Sequence, residues 1–289
     1  MGIEFRIGKY EVVVDGKVVT RTTSKYYATQ KHAELTAGHV AETERVNEYP
    51  INDRFNYCYE LTKMVASKKM ASAIITGEGG LGKTHTVLKA LRDSGLTDIT
   101  ELDGIEPGTV IKNAYKVIKG YSTAKGLYIN LFENKNNIVV FDDCDSVLKD
   151  PDAVNILKGP LDSYSKRVIT WSSAIREDDI PRTFRFEGGV IFISNMTRDR
   201  IDQAIRSRSI NVDLTMTTDQ KLERMEVLVD EGEFLPEIES KYKRMAIDLI
   251  NEVKDKAREI NLRPLISVTK VLASRSPQAN NMAKYMICN

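Results

Sequence analysis

The feature that most limits how this chain can fold is the run Gly77-Glu78-Gly79-Gly80-Leu81-Gly82-Lys83-Thr84, which follows the short apolar stretch Ala73-Ile74-Ile75. It matches the pattern G-x-x-x-x-G-K-[ST]. Glycine carries no Cβ, so successive backbone N–H groups can turn inward around a phosphate, and the positive end of a helix starting near Lys83 faces the same point. In such a loop Lys83 reaches the β and γ phosphates of a nucleotide, and the Thr84 hydroxyl ligates Mg²⁺. The device works only as strand, loop and helix in that order, so the flanking sequence must supply both elements.

It does so repeatedly. Lys116-Val117-Ile118, Ile138-Val139-Val140-Phe141, Val190-Ile191-Phe192-Ile193 and Ile210-Asn211-Val212 read as further strands, with helical stretches between several of them. That alternation predicts βαβ units and a mainly parallel sheet. After about residue 214 the strands cease. Leu222, Met225 and Val229 mark one helix, the steps of three and four through Ile238, Tyr242, Met245, Leu249 and Val253 predict an amphipathic second, and Leu265 to Leu272 a third. Upstream, Val12-Val13-Val14 and Val18-Val19 flank Asp15-Gly16, which predicts a hairpin. A helix is expected from about Tyr27 to Val46, and Asp53 is a candidate cap for the one after it. The expected organisation is a β-hairpin and helix extension over 1–50, an α/β nucleotide-binding core over 51–214 and a helical lid over 215–289.

Asp142 and Asp143 end the strand Ile138–Phe141 and therefore lie at the sheet's C-terminal edge, where nucleotide sites form. Asp142 is the candidate metal carboxylate, and Asp143 the candidate for orienting an attacking water. The alternative is that Asp143 or Asp145 caps the next helix.

Taken together these motifs resemble those of the AAA+ ATPases over about residues 50 to 275. The texture, Gly-Tyr-Ser-Thr before a helix and Phe-Asp-Asp-Cys-Asp at Walker B, is similar to predicted AAA+ ATPases of tailed bacteriophages. The resemblance implies a P-loop α/β core with ATP held by Glu78, Gly79, Gly80, Leu81, Gly82, Lys83, Thr84 and His85, and Mg²⁺ at Thr84 and Asp142. It implies a sensor 1 amide at Asn195, an arginine finger at Arg208 or Arg206 reaching a neighbouring subunit, and a sensor 2 arginine at Arg263 in Asn261-Leu262-Arg263-Pro264. Each has a plainer alternative: Asn195 caps a turn, the paired arginines complement a helix dipole, and Arg263 is solvated at a helix start. One departure stands out, since the family has Glu where this chain has Asp143. The carboxylate is one methylene shorter, and a misplacement of about 1 Å can cost on the order of 100-fold in rate. The expected activity is ATP hydrolysis by a ring, most simply a hexamer, acting on nucleic acid or protein. A nucleotide-controlled switch or loader with little turnover is the second reading.

Two segments bear on the substrate. Tyr121, in Lys119-Gly120-Tyr121-Ser122-Thr123, stands where hexameric family members line a pore; alternatively Ser122 or Thr123 caps a helix and Tyr121 packs locally. Lys166 to Glu187 reads as a strand pair, Arg167–Trp171 and Arg182–Phe186, around the acidic turn Glu177-Asp178-Asp179. It looks like the hairpin preceding sensor 1 in one branch of the family, or a packed core strand carrying Trp171. Its basic residues, Arg176 among them, are nearly matched by acids.

Composition adds exclusions. With 42 Lys and Arg against 41 Asp and Glu the net charge is +1, so charge alone does not argue for a polyanion. A local basic strip, Arg263, Lys270, Arg275 and Lys284, faces no acid in the last 27 residues. No apolar run exceeds four residues, far from the roughly 20 a membrane helix needs. Three widely spaced cysteines, Cys58, Cys144 and Cys288, fit a reduced cytoplasmic protein, in the host cytoplasm for a viral chain.

Overall fold

The computed structural model describes residues 2–6, 9–14, 17–22, 49–102, 111–163, 166–171, 180–232 and 234–289. The chain divides into two compact units, Met1–Glu48 and Tyr49–Asn289. In the first, strands β1 (Gly2–Arg6), β2 (Lys9–Val14) and β3 (Lys17–Thr22) form an antiparallel sheet in that order, with Val13 opposite Val18 and Val14 opposite Lys17. The hairpin expectation is met by β2 and β3, while β1 was not anticipated. The Asp15-Gly16 turn and the helix expected from Tyr27 to Val46 lie outside the described residues.

The second unit is built on a six-stranded parallel sheet. Its strands are β4 (Ser72–Thr76), β5 (Thr97–Asp98), β6 (Ala114–Lys119), β7 (Ile138–Asp142), β10 (Gly189–Ser194) and β11 (Ile210–Asp213), in spatial order β11-β4-β10-β7-β6-β5. The pair β8 (Val168–Thr170) and β9 (Thr183–Arg185) stands apart as a small antiparallel ribbon. Every residue of β4, β7 and β10 is buried, which is why these strands read as continuous apolar runs.

Alternation along the strands sorts the core into two layers. Ala73, Ile75, Val140, Ile191 and Ile193 pack with Phe55, Cys58 and Val65 of α1 (Ile51–Ala66) and Val87 and Leu91 of α2 (Lys83–Asp93). Ile74, Val139, Phe141 and Phe192 pack on the opposite face with Leu127, Tyr128 and Leu131 of α3 (Ala124–Glu133), Val147 of α4 (Asp145–Lys149) and Leu157 of α5 (Pro151–Leu157). Ile169 and Phe184 of the ribbon join this second layer, and Trp171 packs against it beside Tyr128, ring centroids 6.0 Å apart. Arg167 donates to the Pro160 and Gly188 carbonyls (2.9 and 2.7 Å), so it fastens the ribbon to the core. Arg176 and the acidic turn lie outside the described residues.

After the short α6 (Gln203–Arg208) and β11, four helices form a third apolar cluster: α7 (Thr218–Asp230), α8 (Ser240–Glu252), α9 (Leu262–Ala273) and α10 (Ala279–Cys288). Leu222, Met225 and Val229 are buried as expected. In α8 the stripe is rotated from the expected one. Lys243, Ala246, Ile247, Leu249 and Ile250 are buried, whereas Met245 is 43% exposed. Asp53 does not cap α1, which begins at Ile51; it lies in the first turn, where its charge still suits the dipole. The basic strip is also broken up, because Arg275 pairs with Glu239 and Lys284 with Glu252.

One buried cation joins α1 to the start of the lid. Arg54 donates from Nη1 to the carbonyls of Asp213 (3.2 Å) and Thr215 (2.7 Å) and from Nη2 to Gln220 Oε1 (3.2 Å). Arg54→Met keeps the aliphatic stem and strands these acceptors. It is expected to cost about 2–4 kcal/mol, read as a lowered urea midpoint; an unchanged midpoint would contradict this role for Arg54.

Candidate nucleotide site

The parallel register brings the strand ends level. Lys119 is paired with Asp142, Asp142 with Ile193, and Ser194 with Thr76. The strand leading to Asn195 lies between the strand leading into the glycine loop and the strand ending in Asp142. Residues far apart in sequence therefore meet over one edge. A cleft of about 250 Å³ opens there, lined by Gly79 to His85, Asp142, Asp143, Ile193, Asn195, Leu262, Arg263 and Ile266.

Backbone geometry explains the glycines at two points. Gly77 has φ +141°, and a methyl group there would lie 2.9 Å from the Leu214 carbonyl carbon. Gly80 has φ +74°, and a methyl group would lie 2.9 Å from Asn261 Cγ. L-residues rarely adopt either conformation. At Gly79 the added methyl would project into the cleft, 3.7 Å from both Arg263 Nη1 and Asn195 Oδ1. The loop is thus a cradle bounded by a cation and an amide.

Lys83, only 5% exposed, sends its ammonium to the carbonyls of Gly77 (2.8 Å) and Glu78 (2.7 Å) and to Asn195 Oδ1 (2.9 Å). All three donors are used. Burial lowers its pKa, opposed by the charges of Asp143 and Asp142. The Asn195 amide also donates from Nδ2 to Asp143 Oδ1 (2.8 Å), linking the lysine to the second carboxylate. Thr84 Oγ1 donates to Asp142 Oδ1 (3.0 Å), and Lys119 Nζ stands 3.8 Å from Asp142 Oδ2.

The alternatives for these residues can now be judged on geometry. Neither Asp143 nor Asp145 caps α4. Asp143 has φ +55° with its N–H bonded to the Ile193 carbonyl (3.0 Å), and Asp145 accepts from Ser194 Oγ (2.6 Å). The turn after β10 is capped by Ser194, which accepts from the Met196 N–H (3.0 Å), leaving the Asn195 side chain to the cleft. Asn261 does cap α9, accepting from the Arg263 N–H (2.8 Å), and this carries Arg263 to the cleft. Glu78 is in the loop but turned away to form an ion pair with Lys221 of α7.

The finger candidates lie elsewhere. Arg208 is exposed and donates to the Ala204 carbonyl (3.0 Å), while Arg206 is 3.7 Å from Asp199. Neither lines the cleft of its own chain. Tyr121 is 80% exposed; Thr123 caps α3, accepting from the Gly126 N–H (3.1 Å), so the capping expectation holds while local packing of Tyr121 does not. Lys119, Lys221, Leu262 and Ile266 were not anticipated. Only parallel register and lid contacts bring them in, and no fixed spacing signals either.

The donor set suits a nucleotide with a hard cation. A hydroxyl and a carboxylate are oxygen ligands, and Mg²⁺ ordinarily takes one or two of these with water and phosphate. Among the described residues no group of three or more His, Cys, Asp or Glu forms a metal centre. Burial pushes the Cys144 thiol up to about 11, so it is no nucleophile at neutral pH.

Burial also raises the pKa of Asp142, countered by the Thr84 bond and reinforced by Asp143. The unfolded chain has the ordinary lower value, so stability falls as pH climbs from that value through the raised one, and the ionised carboxylate is a net cost at neutral pH. Asp142→Asn should therefore raise the melting temperature of nucleotide-free protein at pH 7.5 by about 2 °C or more. The gain should vanish below the carboxylate range, and a lower melting temperature at pH 7.5 would contradict this account.

Comparison with known proteins gives one sequence relative and a partial structural likeness. Over 230 residues the chain is 32% identical to an uncharacterized 36.7 kDa protein from the nrdC–mobD intergenic region of Enterobacteria phage T4. The match covers 74% of this chain and 66% of that protein, slightly under two thirds of its length. No protein-family model matches the chain. A mutant of RuvB from Thermotoga maritima superposes with a TM-score of 0.48 at 11% identity, covering 82% of this chain and 69% of that one. A replication initiator DnaA bound to AMPPCP and single-stranded DNA gives 0.45 at 15% identity, covering 83% and 69%. With overlaps that partial, the fold assignment rests on this chain's own elements. Parallel strand order, glycine loop, strand-end carboxylates and the C-terminal helices give this chain an α/β core with a nucleotide-type cleft, and it is related in sequence to a phage protein.

Proposed function

We propose that this protein is a Mg²⁺-dependent ATPase that works as a ring, most simply a hexamer, and remodels or moves a macromolecular substrate. The observation that carries the reading is the meeting of Lys83, Thr84, Asp142, Asp143, Asn195 and Arg263 in one cleft between sheet edge and lid. Inward N–H groups of the loop and the N-terminus of α2 suit a polyphosphate. Lys83 would exchange its loop carbonyls for β and γ oxygens. Thr84 and Asp142 would hold Mg²⁺, which when bound offsets phosphate charge. Asp143, steadied by Asn195, would orient the attacking water and take its proton. Arg263 would bring lid charge to the γ phosphate.

The position of Arg208 supports supply in trans. It is exposed, absent from its own cleft, and at the end of a helix next to the edge strand β11. Tyr121, exposed beyond β6, is the proposed substrate contact; an aromatic ring can grip a polypeptide or stack on a base. Paired lid cations and the fastened Arg167 lend no support to a broad nucleic-acid surface, so the substrate is stated only as a macromolecule. A second reading, a nucleotide switch with little turnover, is favoured by Asp143 itself, whose shorter carboxylate is already bonded to Asn195.

Lys83→Ala should lose ATP hydrolysis by about 100-fold or more, measured as phosphate release; full activity would overturn the site. Titrating Arg208→Ala subunits into wild type should depress hydrolysis beyond simple dilution, because each variant disables its neighbour. Strictly proportional loss would exclude catalysis in trans. Stimulation of hydrolysis by single-stranded DNA, duplex DNA or unfolded protein identifies the substrate, and Tyr121→Ala should weaken whichever stimulation occurs. ATP-driven assembly with negligible turnover would instead support the switch.

A further inference from the structure

The phosphate loop is held by the lid on both sides of Gly79. On the far side the Leu262 N–H donates to the Gly80 carbonyl (2.9 Å), and Asn261 closes against Gly80. On the near side the contact is ionic: Glu78, the only acid between Gly77 and Thr84, pairs with Lys221 of α7. The side chain of Lys221 is 15% exposed. Its helix start is fixed in advance, since Thr217 and Gln220 form a capping box and Gln220 also accepts from Arg54.

A carboxylate in a loop that gathers N–H groups around an anion is an electrostatic liability. Turned outward and neutralised, it costs little. Lys221 supplies that neutralisation and, being on the lid, fastens the first half of the loop to α7. We infer that Lys221 is a positioning residue of the nucleotide site, which tunes affinity for polyphosphate by neutralising Glu78 rather than by touching the phosphates.

The inference rests on the proposed nucleotide site, and the test separates the two. Full-length protein is titrated calorimetrically with AMPPCP and with ADP, both with Mg²⁺, and folding of each variant is checked by circular dichroism. Lys221→Met should weaken AMPPCP binding on the order of 10-fold and ADP binding less, because the exposed Glu78 charge repels the more highly charged ligand more strongly. Glu78→Gln should remove the liability, so the double variant should return to within about threefold of wild type. The Lys221→Met defect should also shrink as salt is raised from about 0.05 to 0.5 M.

Wild-type affinity in Lys221→Met would overturn the inference. So would a defect that persists in the double variant, since Lys221 would then be a direct phosphate ligand. Failure of wild type to bind either nucleotide would overturn the proposed site itself, and the inference with it.

Discussion

An ammonium ion removed from water must find three acceptors or give up its proton, and the Lys83 ammonium sits under that constraint at the edge of the parallel sheet. Two of its acceptors are carbonyls of the loop it belongs to; the third is the amide at the end of β10. The loop offers those carbonyls with Gly77 and Gly80 in conformations that other residues rarely adopt, and the amide arrives because β10 lies beside β4. Lys83 thereby ties loop conformation to strand order. On the proposed function, a phosphate would offer oxygens of stronger charge at the same place, and Lys83 would exchange its neutral acceptors for them.

The lid matters to the loop as much as the sheet does. Gly80 is closed over by Asn261, Gly77 by the backbone at Leu214, and Glu78 is held by Lys221. These contacts come from the residue after β11, the first turn of α7 and the cap of α9, with Arg54 tying the segment before α7 to α1. Any rotation of the lid must disturb at least one. Loop and lid are thus joined by hydrogen bonds and one ion pair at the loop itself, without a longer chain of contacts.

What the sequence revealed and what it hid follow from separation along the chain. β4, β7 and β10 were legible because burial on both faces leaves an unbroken apolar run, with polar residues only at the strand ends. Lys83, Thr84, Asp142 and Asp143 were legible because each sits at a fixed offset from a strand or helix end, whereas Asn195 and Arg263 were reached only through the family resemblance. The phase of α8 was misread because Lys243 lies on the buried face, where its methylene stem covers apolar neighbours, while Met245 does not. The last helix, α10, begins with Ala279-Asn280-Asn281 and gives no strong start signal. Lys119 reaches Asp142 through register alone, and Lys221 reaches Glu78 across 143 positions of sequence. Neither relation leaves a local trace.

Asp143 shows how a shorter side chain can be accommodated. Its backbone adopts φ +55°, a region Asp enters more readily than most residues, and its N–H is bonded to the carbonyl of Ile193. Its carboxylate is fixed by the Asn195 amide, whose oxygen at the same time accepts from Lys83. A positive-φ main chain and a bridge from the neighbouring strand thus fix where this carboxylate sits. On the proposed function, a phosphate that drew Lys83 away would leave Asn195 with one of its two partners, making the group that holds Asp143 sensitive to the contents of the loop. On the same reading, the freedom of that amide would bear on turnover alongside the length of the carboxylate it holds.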